Sequence, residues 1–216
     1  MASELGLRER KKQRTRELIA DTARRLFAER GFEAVPVADI ARAAEVSEAT
    51  VFNYFPTKED LFYNRLEAFE EELLSTIRDR APGESVLTAF GRFVTTRRGL
   101  LAARDPVQVE HLAAITRVIT ESPALLARER QIYGKYTDAL AALLATESGA
   151  SAEDIDPWVV ARALIGLHQA VVDYSRRQIL AGVRNPTLAR RVRRQTQQAL
   201  ELLSRGLLDY GARSQA

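Results

Sequence analysis

Seven prolines punctuate this 216-residue chain, and each can stand at or near a helix end. Pro106, Pro123, Pro157 and Pro186 directly follow Asp105, Ser122, Asp156 and Asn185. Those side chains can accept from an orphan N–H at a helix start, and proline in the first helical turn loses no hydrogen bond. Pro56 precedes Thr57, which with Asp60 three positions later spells a capping box. Ala81-Pro82-Gly83 breaks the chain. Between these marks the apolar residues recur at helical spacing, as in Leu18, Ile19, Ala23, Leu26 and Phe27, or Phe62, Leu66, Phe69, Leu73 and Ile77. No stretch sustains period-two alternation. The pattern predicts an all-α protein of about nine helices, at 8–30, 37–44, 48–54, 58–80, 84–103, 106–121, 123–147, 157–181 and 186–212.

Two of these helices, 37–44 and 48–54, have only two turns and cannot stand alone. They must pack against their neighbours, which makes 1–56 a three-helix unit. The stretch Val37 to Phe55 has the spacing of a helix-turn-helix. Ala41 is small where the two helices touch, Glu45 falls in the turn where a left-handed backbone favours glycine, and Val51 is apolar where the second helix locks onto the first. Ile40 and Val46 complete the small core, and Ser47 can cap the second helix.

Residues 31–62 resemble the DNA-binding domain of the TetR family. The resemblance rests on Gly31-Phe32, Asp39-Ile40-Ala41, Val46-Ser47, Thr50-Val51-Phe52-Asn53-Tyr54-Phe55 and Lys58-Glu59-Asp60-Leu61. Three positions depart from the family pattern: Pro36 replaces a threonine, Glu45 a glycine and Phe52 a tyrosine. Pro36 removes a cap and a phosphate contact, and Phe52 removes a hydroxyl. The resemblance implies a regulator with a DNA-binding helix-turn-helix domain at 1–56 (motif about 36–55) and a ligand-binding and dimerisation domain at 57–216. It implies that the helix at 48–54 enters the major groove. Ser47 and Thr50 then contact phosphates or base edges, Glu48 and Ala49 face the bases, Asn53 reads a base or the backbone, Tyr54 touches a phosphate with its hydroxyl while its ring packs or else is plain core, and Lys58 meets a phosphate. Phe55 is expected in the core. The basic run Arg8, Arg10, Lys11, Lys12, Arg14 and Arg16 then becomes a phosphate or minor-groove arm, with Arg8, Lys11, Lys12 and Arg14 as its contacts. A second run, Arg176 to Arg194, holds seven arginines and no acid, and is expected on a solvated face or a dimer rim.

Helix 157–181 is apolar nearly all round, so one face needs the domain core and the other a partner. The family's last two long helices pair with their twofold mates, which places Leu164, Leu167, Val171, Ala199, Leu203 and Leu207 at a homodimer interface. A monomer core filling both faces is the other reading. Phe90, Phe93, Arg97, His111, Tyr133, Tyr136, Trp158 and His168 are the candidates for an effector cavity, since aromatic walls with a few polar groups suit a small molecule. Most such residues are core residues in any helical protein. Arg97 or His111 would orient an acidic or acyl ligand.

The remaining composition narrows the function. With no cysteine there is no disulfide, thiolate metal site or cysteine nucleophile. The two histidines stand 57 residues apart, without metal-ligand spacing. There is no glycine-rich phosphate loop, nucleophile elbow or aspartate-rich metal motif, so no enzyme, cofactor or metal is expected. No apolar run is long enough to span a bilayer and the N-terminus lacks a signal core, which leads to the expectation of a cytoplasmic protein without a membrane partner. The expected function is a repressor released from a palindromic double-stranded operator by a small-molecule effector. The alternative is a constitutive or architectural helix-turn-helix binder that takes no ligand.

Overall fold

Capping side chains decide where several helices start. A computed structural model describes residues 6–64, 66–96, 106–151 and 153–206, and among the described residues there are ten α-helices and no strand. They are α1 (Leu7–Arg30), α2 (Val37–Ala43), α3 (Glu48–Tyr54), α4 (Lys58–Phe62), α5 (Leu66–Arg78), α6 (Val86–Thr95), α7 (Pro106–Glu121), α8 (Pro123–Ser148), α9 (Asp156–Leu180) and α10 (Thr187–Arg205). The capping box forms as spelled: Thr57 accepts from the Asp60 N–H at 3.2 Å, and Asp60 accepts from the Thr57 N–H at 3.1 Å. Ser122 caps α8 through the Leu125 N–H at 3.3 Å.

Two caps differ from expectation. Asp156 is itself the first helical residue, so Ile155 takes the cap position and provides no side-chain bond. Asn185 caps α10 from one residue further back, accepting from the Ala189 N–H at 3.2 Å. Asp105 lies outside the described residues.

The helix expected over 58–80 is two helices, because tertiary bonds hold the turn between them. Tyr63 is buried and donates its hydroxyl to the Leu125 carbonyl at 3.2 Å, while Arg24 donates to Asn64 Oδ1 at 3.3 Å. Apolar spacing carries no information about such partners.

The chain divides into two compact units. The first comprises Met1–Glu67 and Ala113–Arg130, the second Ala68–Leu112 and Gln131–Ala216. In the first, Ile19, Ala23 and Phe27 of α1 are fully buried together with Val35, Ile40, Val51 and Leu61. Each large apolar side chain so removed from water contributes about 1.5 to 3 kcal/mol. Segments remote in sequence close the unit: Ser122 donates to Glu33 at 2.7 Å, and Arg128 donates twice to Asp60 Oδ1, at 3.0 and 2.6 Å.

In the second unit, α10 spends its apolar side within the chain. Leu188, Val192 and Thr196 are buried, and α10 packs on α6 and α9. Gly91 of α6 lets α10 come close there, since a Cβ would sit 3.1 Å from Leu200 Cδ1 and would press on that side chain. The outer side of α10 carries Arg190, Arg191, Arg193 and Arg194, all exposed. At the start of α9, Trp158 and Val159 remain 43% and 55% exposed.

Candidate DNA-binding surface and effector core

The helix-turn-helix is built from a short list of local demands. Ala41 and Ile40 of α2 and Val51 of α3 are buried at the helix contact. The turn runs through Ala44 to Val46, whose N–H returns to the Ala41 carbonyl at 2.9 Å. Glu45 sits there at φ 55, the left-handed conformation that the motif requires and that only glycine adopts without cost. Ser47 Oγ accepts from the Thr50 N–H at 3.1 Å and lies 2.8 Å from Thr50 Oγ1, so the start of α3 is capped. By contrast α2 follows Pro36 with no side-chain cap bond. Asp39 instead ties α2 to α1, accepting from Arg30 at 2.9 Å and from Arg42 at 3.2 Å.

Burying Val51 turns the rest of α3 outward. Ser47, Glu48, Ala49, Phe52 and Asn53 are exposed, while Thr50 and Tyr54 are half-buried. Phe55 is fully buried, as a core residue should be, with the Arg16 guanidinium 5.1 Å from its ring centre. The basic run winds into the first turns of α1, and Arg8, Lys11, Lys12 and Arg14 are all exposed there. Lys58 is only half-buried, with its ammonium 4.4 Å from the centre of the Phe32 ring and 5.8 Å from that of Phe27. Burial pulls its pKa below the ordinary lysine value, against the opposing pull of Glu33 and Glu59.

Within the second unit an aromatic cluster joins four helices. Phe69 of α5 lies 5.0 Å from Phe93 of α6, 5.4 Å from Tyr136 of α8 and 4.8 Å from His168 of α9, between ring centres. Tyr133 closes the group, 5.9 Å from Tyr136 and 5.8 Å from His168. The structure thus brings together Phe93, Tyr133, Tyr136 and His168 of the expected cavity residues. Phe90 is buried on α6, and Trp158 is exposed at the start of α9. Arg97 lies outside the described residues; His111 belongs to α7. Burial, and then the charge of Arg176, lower the His168 pKa from 6.5 to about 4. Its imidazole is therefore neutral at pH 7.

Arg176 is a correction to the solvated arginine run, because it is buried at 8% exposure. Its signal in the sequence was position: it follows His168 by eight residues, about a fifth of a turn more than two helical turns, within the span of one broad helix face. Leu164 and Leu167 of the expected interface are buried within the chain, Val171, Ala199 and Leu203 are half-buried, and Leu207 lies outside the described residues. Among the described residues no group of three or more His, Asp or Glu is placed to hold a metal. No described helix is long and apolar enough to cross a membrane.

A capped two-turn helix held outward on a helix-turn-helix, in an all-helical chain, defines a DNA-binding transcriptional regulator. Family comparison agrees on both parts. Residues 19–63 match the model of bacterial regulatory proteins, tetR family, and residues 97–207 match the MftR C-terminal domain. The chain belongs to the TetR family of transcriptional regulators. It is 32% identical to the transcriptional regulator TcmR of Streptomyces glaucescens over 154 residues, covering 69% of this chain and 67% of the relative. It is 28% identical over 165 residues to the regulator MftR of Mycobacterium tuberculosis, covering 73% and 78%. The fold matches that of the regulator FadR of Bacillus subtilis, solved with stearoyl-CoA, at TM-score 0.52 and 23% identity over 91% of this chain and 99% of that one.

Proposed function

We propose that the chain is a homodimeric repressor that grips a near-palindromic operator through α3 and leaves it when an effector enters the aromatic core of the second unit. The observation that carries the DNA part is the outward face of α3, where Ser47, Glu48, Ala49 and Asn53 are exposed on a helix locked by Val51. Residues 1–56 carry recognition, with Arg8, Lys11, Lys12 and Arg14 on phosphates, and 57–216 carry sensing and dimerisation. Lys58 reaches phosphate only by leaving its place over Phe32, so its role is secondary to that of the exposed bases on α1.

The effector reading is supported by Phe69, Phe93, Tyr133, Tyr136 and His168 meeting in one unit, and by a stearoyl-CoA complex of a protein with the same fold. Two recognition helices serve two half-sites only at a spacing of about 34 Å or a multiple of one DNA turn. An effector that favours another spacing weakens DNA binding, and DNA must weaken effector binding by the same factor.

The test is a salt series on an operator duplex selected from a random-sequence pool. Affinity should fall steeply with salt, because phosphate contacts release counterions, and deleting residues 1–12 should flatten the slope. An unchanged slope removes α1 from the DNA contact. A tight metabolite that leaves operator affinity unchanged defeats the release mechanism and favours a constitutive binder.

A further inference from the structure

We infer that Phe52 is a reader of thymine: its ring packs on the 5-methyl group of a thymine in each half-site of the operator. This rests on the operator reading proposed above and deepens it, adding a residue to the recognition surface and naming the base that it selects. Phe52 stands on α3 four residues after Glu48 and three after Ala49, so the three side chains share one flank of the helix. All three are exposed, and Phe52 keeps 47% of its surface in water although Val51 beside it is fully buried. The opposite flank is of another kind. Thr50 and Tyr54 are half-buried there and carry hydroxyls, and Ser47 Oγ lies 2.8 Å from Thr50 Oγ1.

Chemistry decides what the flank of Glu48 and Phe52 can meet. A phenyl ring has no group that bonds a phosphate, and the Glu48 carboxylate one turn away repels one. Phosphates therefore fall to the hydroxyl flank and to the basic side chains of α1, and the flank of Glu48 and Phe52 turns to the base edges. Ala49 is short enough to let those edges approach, and the Phe52 ring extends well beyond it. In the major groove the thymine methyl is the one apolar group among donors and acceptors. A ring set against a donor or acceptor would strip it of water and give no hydrogen bond in return. Set against the methyl, the ring removes apolar surface from water on both sides of the contact. Thymine is therefore the base that Phe52 favours. Glu48, on the same flank, accepts from the amino group of a neighbouring cytosine.

Fluorescence anisotropy with the full chain tests this, on the operator duplex selected from a random-sequence pool. Deoxyuridine replaces thymine at one symmetric pair of positions at a time, which removes the methyl and keeps every hydrogen-bonding group. One such pair should weaken binding about fourfold per half-site, or about fifteenfold in all, the loss expected for one buried methyl at each. Phe52→Ala should bind the thymine and deoxyuridine operators alike, with affinity for random duplex within about twofold of the parent. Its melting temperature should be unchanged, since the ring is exposed. Phe52→Leu, which keeps an apolar reach, should retain part of the thymine preference. An operator indifferent to every deoxyuridine overturns the thymine contact and leaves the operator reading standing. So does a preference that survives in full in Phe52→Ala, which would pass the methyl to Ala49. A chain that selects no sequence from the pool overturns both together.

Discussion

The imidazole of His168 lies 4.8 Å from the ring of Phe69, with the two planes 32° apart, inside the second unit. Burial and Arg176 hold its pKa at about 4, below the 6.5 of an exposed histidine. The unfolded chain therefore binds the proton more readily than the folded one. Stability from this group is complete above pH 6.5 and is lost as pH falls towards 4. At about 1.4 kcal/mol per unit, the loss reaches roughly 3 kcal/mol at most. Urea unfolding at pH 7 and pH 4.5 should show it, and His168→Gln should flatten the difference. Equal slopes for the two chains would mean that His168 is solvated.

Glu45 holds a left-handed backbone at φ 55. Glu45→Gly should therefore stabilise the protein by up to about 1 kcal/mol, offset in part by the freer unfolded chain. Glu45→Val should destabilise it, because a branched Cβ fits that region worst. Thermal melts of both variants check the order; a glycine variant that melts below the parent contradicts it.

Asp60 serves two neighbours at once, closing the α4 capping box and accepting from Arg128 at 3.0 and 2.6 Å. Losing both roles in Asp60→Ala should cost about 2 to 4 kcal/mol, whereas Thr57→Ala, which removes a cap alone, should cost about 1 kcal/mol. Denaturant midpoints separate the two, and equal costs would show that the Arg128 bonds contribute nothing.

The Asn53 side chain is exposed on α3, a helix of the outward recognition face. If it reads a base, Asn53→Ala should lose about 1 to 3 kcal/mol on the true operator and little on random duplex. Equal losses on both would reassign it to a phosphate. Stability should not change in either case.

Signals of local origin were legible in the sequence. The Thr57–Asp60 box, the Ser47 cap, the uncapped start at Pro36 and the left-handed turn at Glu45 each depend on a few adjacent residues, and each stands as read. What escaped was decided across long separations. The break at Tyr63 and Asn64 is held by Leu125 and Arg24, and no periodicity within 58–80 encodes either. Arg176 looked like one member of a solvated run because composition counts charges without asking which side of a helix each occupies. The resemblance points to the helix that holds Leu164 and Leu167 but not to which of its sides faces inward; both are buried within the chain, and the face left outward is lined by small residues.

The bonds from Ser122 to Glu33, from Arg128 to Asp60 and from Tyr63 to Leu125 join partners 89, 68 and 62 positions apart. The compact unit that holds the helix-turn-helix is thus built from two stretches of polypeptide, with 113–130 bracing the N-terminal one. Anyone grafting its DNA specificity onto another sensor by cutting after the recognition helix would leave behind the brace that 113–130 provides. A working hybrid should have to carry both pieces or supply a substitute brace of its own.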